Sequence, residues 1–244
     1  MTKTFNKLKY NGGFLGMNNK KVFNVILCAM LVLALVISNF AGLDLGFVKA
    51  YAQDPVVMQG SGSEGDPYQI TNYAQLKEFA GIVNSGQTDA CAKLMNDIVC
   101  TDKLWEPIGY YNNDSDNALY SGKFDGNNKK IIGLNNTGFN DVNDRKYQGL
   151  FGYIDNNGTV KNIGIEGGEI KGANNIGGVA GYNNRGTITN CYNTGSISGS
   201  GDYAYVGGVA GYNNRGTITN CYNTGSISGS GDYAYVGGVA GYNN

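Results

Sequence analysis

Residues Gly177 to Val206 recur without a single change as Gly207 to Val236, and a third copy opens at Gly237. An exact internal repeat of this length restricts the chain to arrays in which each unit buries its apolar side chains against its neighbours. A degenerate unit precedes the two identical ones. Gly149-Leu150-Phe151-Gly152-Tyr153 matches Gly178-Val179-Ala180-Gly181-Tyr182, and Gly168-Glu169-Ile170-Lys171-Gly172 matches Gly195-Ser196-Ile197-Ser198-Gly199. Asn157-Gly158-Thr159-Val160-Lys161-Asn162 likewise matches Arg185-Gly186-Thr187-Ile188-Thr189-Asn190. The reading divides 149–244 into 149–176 (degenerate), 177–206, 207–236 and 237–244 (incomplete).

Within a unit, Thr187-Ile188-Thr189 and Ser196-Ile197-Ser198 alternate polar, apolar, polar, the period of a half-buried strand. A third apolar stretch runs from Tyr205 to Ala210. Turn formers separate them: Asn183-Asn184-Arg185-Gly186, Asn193-Thr194-Gly195 and Gly199-Ser200-Gly201-Asp202. Three short strands and three turns make one triangular coil. The expected fold is all-β: a right-handed parallel β-helix (β-solenoid) of about 30-residue coils. Stacking about 4.8 Å apart then places Ile188 on Ile218, Ile197 on Ile227 and Asn190 on Asn220. A propeller or sandwich needs hairpins and longer blades.

Residues 66–148 form a separate N-terminal β-helix region. Asp66-Pro67-Tyr68-Gln69-Ile70 reads as a turn and a strand. Thr71 or Asn72 caps a short helix ending near Asn84, with Gly86 beyond it. Leu76, Phe79, Ala80 and Val83 share its apolar face, which suits a cap over the first coil. Further strands are expected at Lys93–Val99, near Ile108, at Gly122–Phe124 and at Lys130–Leu134. Residues 112–117 read as a polar loop.

The beginning of the chain reads as a leader. Lys20 and Lys21 precede an apolar run from Val22 to Ile37, and Ala50-Tyr51-Ala52 is an A-x-A site, predicting a signal peptide over 1–52 cut between Ala52 and Gln53. An uncleaved anchor is the rival reading. A linker, 53–65, follows. Six of 18 basic residues and one of 19 acidic ones lie in 1–52. The remaining acidic excess argues against nucleic acid, which needs a basic face, and suits an extracellular protein that meets a membrane only through the leader before cleavage. The chain stops inside a repeat at Tyr242-Asn243-Asn244, where an array would ordinarily carry a cap, so it is read as a fragment or a prematurely ended gene product.

Tyr205-Val206-Gly207-Gly208-Val209-Ala210-Gly211-Tyr212-Asn213, followed by Gly216-Thr217-Ile218-Thr219-Asn220-Cys221-Tyr222-Asn223-Thr224-Gly225, resembles the GLUG repeat, with valine for the usual leucine. Tyr68-Gln69-Ile70, Ala74-Gln75-Leu76, Leu94-Met95-Asn96-Asp97-Ile98, Trp105-Glu106-Pro107-Ile108-Gly109 and Phe124-Asp125-Gly126-Asn127 are similar to the region preceding such repeats. The family occurs in large bacterial surface and secreted proteins, among them filamentous-haemagglutinin-like adhesins and the non-catalytic region of IgA-cleaving metallopeptidases. The resemblance implies a β-helix in an extracellular setting and no shared activity.

Chemistry is sparse. The chain has no histidine, which removes Ser-His-Asp, Cys-His and H-E-x-x-H arrangements. No catalytic, cofactor-binding or metal residue is assigned. Asp125 sits in a turn that favours Asp. Asp114 and Asp116 with neighbouring Asn oxygens suit either a solvated loop or Ca²⁺, and Asp202 and Asp232 recur in a loop that could line one edge. Cys91 and Cys100 are either a disulfide or two buried thiols; Cys191 and Cys221 are expected to stack as thiols. The candidate ligand-facing residues are Tyr182, Tyr192, Tyr203, Tyr205, Tyr212, Tyr222, Tyr233 and Tyr235, whose rings could stack on sugars or meet protein, or simply pack along the stack. The expected function is a secreted or cell-surface structural and adhesive module, non-catalytic, with a host glycan, a protein or another surface component as partner. The alternatives are a carbohydrate-active β-helix enzyme, in which Arg185, Asp202 and their copies would have to converge, and an accessory region of a larger surface metallopeptidase.

Overall fold

The computed structural model describes residues 56–244. The predicted leader and its cleavage point at Ala52–Gln53 lie outside the described residues.

The chain winds into a parallel β-solenoid of about five turns with one short helix. One wall is a nine-stranded sheet that includes Tyr68–Ile70, Ala92–Leu94, Lys123–Ile132, Thr159–Glu166, Thr187–Thr189 and Thr217–Thr219. A second wall stacks Glu169–Gly172, Ser196–Gly199 and Ile227–Gly229. The third is folded: Ile176–Gly177, Tyr205–Gly207 and Tyr235–Gly237 form one sheet, and Phe151–Ile154, Ala180–Asn184, Ala210–Asn214 and Ala240–Asn243 the next. The identical units pair in register, Ile188 on Ile218 and Ile197 on Ile227.

The repeat holds more strands than its pattern suggested. The apolar stretch from Tyr205 to Ala210 is bent at Gly208-Val209 into two strands, and Tyr192–Asn193 adds a short one to the long wall. Asn183 and Asn184, expected in a turn, end a strand, and the corner falls on Arg185, whose φ is +62°. Asn183 is fully buried; its Nδ2 donates to Gly186 O at 3.2 Å and to Asn213 Oδ1 of the next coil at 2.7 Å. Asn193 does the same toward Gly195 O and Asn223 Oδ1. These residues still shape turns, but from the inside, and stacking gives their buried amide N–H groups acceptors, while Asn183 Oδ1 has no partner.

Outside the core, Asn220 donates to Asn190, Asn190 to Asn162, and Asn162 to Asp125 Oδ1, at 3.3, 2.9 and 3.0 Å. A second row runs Asn244, Asn214, Asn184 to Asp155 Oδ1. Both rows end on a carboxylate, which accepts and cannot donate.

Helix α1, Tyr73–Asn84, is capped by Asn72, whose Oδ1 accepts from Gln75 N at 3.0 Å. It buries Leu76, Phe79, Ala80 and Val83. Phe79 meets Tyr68, Tyr120 and Phe124 with ring centroids 5.8 to 6.4 Å apart, closing the first coils. Residues 112–117 are not a plain loop. Tyr110–Asn113 and Asp116–Ala118 form an antiparallel hairpin, the one non-parallel pairing between named strands. Its carboxylates are engaged by Tyr110 and Asn112 at Asp116 and by Tyr111 at Asp114. The expected strand Lys93–Val99 is broken into Ala92–Leu94 and Ile98–Val99. All four described cysteines are free thiols. Burial pushes Cys100 up to about 12. Cys191 and Cys221 stack, with Cys191 N 3.4 Å from Cys221 Sγ; that hydrogen-bonded neighbour, and then burial, raise the Cys191 thiol.

Candidate functional site

The tyrosines of the repeats fall on three separate surfaces. On the folded wall, Tyr153, Tyr182, Tyr212 and Tyr242 make a row with centroids 4.8, 4.8 and 4.9 Å apart. A second row runs beside it: Tyr147, then Tyr205 and Tyr235, the last two stacked at 5.3 Å. The rows meet nearly at right angles, Tyr205 against Tyr212 at 83° and Tyr235 against Tyr242 at 89°. Tyr111 of the hairpin extends the array, 6.0 Å from both Tyr147 and Tyr153. Eight rings thus form one continuous, largely half-buried face.

Glycine lets the rows touch. A Cβ on Gly211 would lie 2.4 Å from Ile176 N, and one on Gly181 2.6 Å from Asn175 O. The Gly-Tyr pair therefore packs one strand against its folded neighbour and brings Tyr205 beside Tyr212. Stacking also limits what the array can do. Tyr182 and Tyr212 have a ring on each face, so they present edges and hydroxyls to solvent, and their faces are closed to a sugar. Burial raises the phenol pKa of Tyr147, Tyr153 and Tyr182, so these hydroxyls stay protonated donors.

The other candidates sit apart. Tyr192 and Tyr222 stack at 5.1 Å on the long wall. Tyr192 lies over Gly164, where any Cβ would collide with its ring, and its hydroxyl donates to Glu166 at 2.6 Å. Burial first, and then this bond, raise the Tyr192 pKa. Tyr203 and Tyr233 stack at 5.2 Å on the outermost loops, 56% and 60% exposed. Four of the eight predicted residues, Tyr182, Tyr205, Tyr212 and Tyr235, are brought together. Sequence reasoning missed Tyr111, Tyr147, Tyr153 and Tyr242. The Gly-Tyr pairs at 152–153 and 241–242 signalled two of them; Tyr111 and Tyr147 lie outside the repeats and gave no signal.

Where the array reaches the hairpin it borders a cleft of about 640 Å³, lined by Glu106, Tyr110, Tyr111, Asp144, Arg145 and Tyr147 among others. Arg145 is pinned there, with Nη2 2.8 Å from Glu106 Oε1, Nε 3.2 Å from Asp141 Oδ1, and the guanidinium 4.1 Å above Phe139. Among the described residues, no three His, Cys, Asp or Glu side chains are grouped to hold a metal. Asp125 is tied to Asn127 N, Asn162 and Lys161. Asp202 and Asp232 lie exposed on successive loops, where Tyr233 N donates to Asp202 O. No described helix is long and apolar enough to cross a membrane.

Residues 172–198 and 202–228 match the GLUG motif, thirty residues apart, the spacing of the coils. The chain is 34% identical over 123 residues to a protein provisionally named a Gly-rich membrane protein in Evansella cellulosilytica, covering 48% of this chain and 13% of that one. Its fold is similar to the crystal structure of a protein provisionally assigned as an immunoglobulin A1 protease from Bacteroides ovatus, with TM-score 0.54 and 20% identity over 76% of this chain and 64% of that one. The chain thus spans about an eighth of the first protein and under two thirds of the second. Matched motif, repeat spacing and coil geometry agree: the chain carries two GLUG motifs as successive coils of a parallel β-solenoid.

Proposed function

We propose that the chain is a secreted or cell-surface module, structural and adhesive, with no catalytic role of its own, whose tyrosine face meets a partner. The observation that carries this reading is the eight-ring array. Aromatic rings with polar tips gathered on one face are the usual anchors of an interface, and core packing alone does not require rings on an outer surface. An enzyme reading finds less support. Of the three cleft carboxylates, Glu106 and Asp141 are both bound to Arg145, which leaves those two poorly placed as an acid and base pair.

The test is binding of the purified chain to bacterial and host cell surfaces and to immobilised glycans, with Tyr182→Ser/Tyr212→Ser beside the wild type. Loss of binding by a variant that stays folded is expected. Equal binding by both would sink the reading. The likeness to the Bacteroides ovatus protein favours a second reading, a non-catalytic arm of a larger peptidase. Sequencing past the codon for Asn244 tests it: an in-frame H-E-x-x-H supports it, and a continuous frame without one counts against it.

A further inference from the structure

The repeated coils leave their charges unpaired. Between Gly177 and Val236 the only charged residues are Arg185, Asp202, Arg215 and Asp232. All four are exposed, and none takes part in an ion pair among the described residues. Before Gly177 the chain does the opposite: Lys130 is paired with Glu166, Lys161 with Asp125 and Arg145 with Glu106. The unpaired charges border the folded wall. Asp202 lies on the loop that leads into Tyr205–Gly207, and Arg215, at φ +54°, turns the corner that follows Ala210–Asn214. One edge of the tyrosine face is thus acidic and the other basic. Parallel stacking repeats each charge in the neighbouring coil, Asp232 beside Asp202 and Arg215 beside Arg185.

The wall is also symmetric about its own bend. Tyr205 stands three residues in from Asp202, Tyr212 stands three residues in from Arg215, and the midpoint falls at Gly208-Val209, where the wall folds. A two-fold axis through that midpoint, parallel to the solenoid axis, lays the face of one copy on the face of another. It exchanges the two edges of the wall and keeps each coil at its own height. Asp202 then meets Arg215 of the second copy, Arg215 meets Asp202 of the second copy, and tyrosine lies against tyrosine. The rings suit such a contact. A protonated phenol both donates and accepts a hydrogen bond, and burial raises the pKa of Tyr182 and Tyr212 and keeps them in that form. Two such faces carry no charge at their centres to repel each other.

We propose that the tyrosine face is a self-association surface, its partner a second copy of this chain laid alongside, parallel and coil for coil. The proposal rests on the reading that this face meets a partner and names that partner. The rings supply the buried area. Exposed ion pairs add little energy; at the edges they set the register and reject a face whose charges do not match. An isologous contact of this kind closes at two copies, and each identical coil added to both chains lengthens it.

Sedimentation equilibrium of the full chain at low and high salt tests this. A dimer that weakens as salt rises is expected. Arg215→Asp and Asp202→Arg each set like charges against each other across the axis, and each should weaken dimerisation about tenfold. Mixing the two variants makes every facing pair opposite again and should restore dimerisation to within about threefold of the wild type. The double variant Arg215→Asp/Asp202→Arg should recover in the same way without mixing. Both sites are exposed and Asp tolerates the left-handed backbone at Arg215, so the Tm of each variant should stay at the wild-type value. A chain monomeric at every concentration overturns the proposal. So does a dimer indifferent to both single substitutions, or single variants that mixing does not rescue. Polygalacturonate bound by a monomer and released by Arg215→Asp would make the basic edge a polyanion site and sink it as well. If Tyr182→Ser/Tyr212→Ser loses cell-surface binding while the wild type is monomeric, the adhesive reading survives and this one fails. A charge-rescued dimer that binds no cell or glycan keeps this one and ends the adhesive reading.

Discussion

The two halves of the solenoid solve one problem in opposite ways. From Tyr68 to Tyr147 every coil is different. Trp105, Tyr120 and Phe124 fill the interior, a helix closes the end, and a hairpin interrupts the winding. From Gly177 onward each coil repeats the last, and the interior shrinks to stacked Ile, Val, Ala, Cys and Asn. Large aromatic residues in the first half make interior contacts that the repeated coils do not copy. Identical small residues in the second make contacts that are copied every thirty residues. Disruption in the first half should therefore be felt throughout it, whereas in the second it should depend on how many neighbours the affected coil has.

The largest effect is expected at Trp105, 1% exposed, with Nε1 donating to Gly149 O and Leu150 O. Trp105→Ala should cost about 3–5 kcal/mol, read as the midpoint shift in urea unfolding. A loss below about 1 kcal/mol would mean that the aromatic interior is not what holds the irregular half together.

Ile188 and Ile218 sharpen the comparison because they are the same residue in two copies. Ile188 is fully buried between coils, and Ile218 is only partly buried. Ile188→Ala should cost about 2–4 kcal/mol and Ile218→Ala clearly less, about half. Equal losses would show that position in the stack does not set the contribution.

A smaller and more polar effect is expected at the buried ladder. Asn213→Ala leaves Asn183 Nδ2 and Gly216 O without this partner and should cost about 1–3 kcal/mol. The exposed Asn190→Ala, in a ladder open to water, should cost under about 1 kcal/mol. A reversed order would remove the distinction between inner and outer ladders.

These residues also show what could be read before the fold was seen. The repeat registers Ile188 on Ile218 and Asn190 on Asn220 follow from sequence identity, since identical units stacked in parallel must align. The helix was equally legible, because Asn72, Leu76, Phe79 and Val83 mark a cap and a face that depend on local spacing alone. The buried roles of Asn183 and Asn193 were not, because a turn-forming asparagine looks the same whether its amide points to water or to the next coil. The tyrosine face was half legible. Its repeated members announce themselves, but Tyr111 and Tyr147 join it only through the hairpin and a non-repetitive loop.

Asp125 marks where the two halves meet, and it gives the last test. It accepts from Asn162, the first outer-ladder asparagine, and pairs with Lys161 at 3.4 Å. Burial alone would raise its pKa, but Asn127 N–H, the Asn162 amide and the Lys161 ammonium outweigh that and hold it below the ordinary carboxylate range. A carboxyl whose folded pKa is depressed adds stability that is fully present above its unfolded value, near ~3.9, and is lost as pH falls through the folded value. Asp125→Asn keeps an acceptor for Asn162 and removes only the charge. At neutral pH the variant should melt slightly lower, a modest effect because the pair is partly exposed, and the gap should close as the pH falls through the folded pKa. The gap isolates the charge at the foot of the ladder. If it persists unchanged in acid, the ladder is anchored by hydrogen bonding alone, and the junction between the irregular and repeated coils needs no carboxylate.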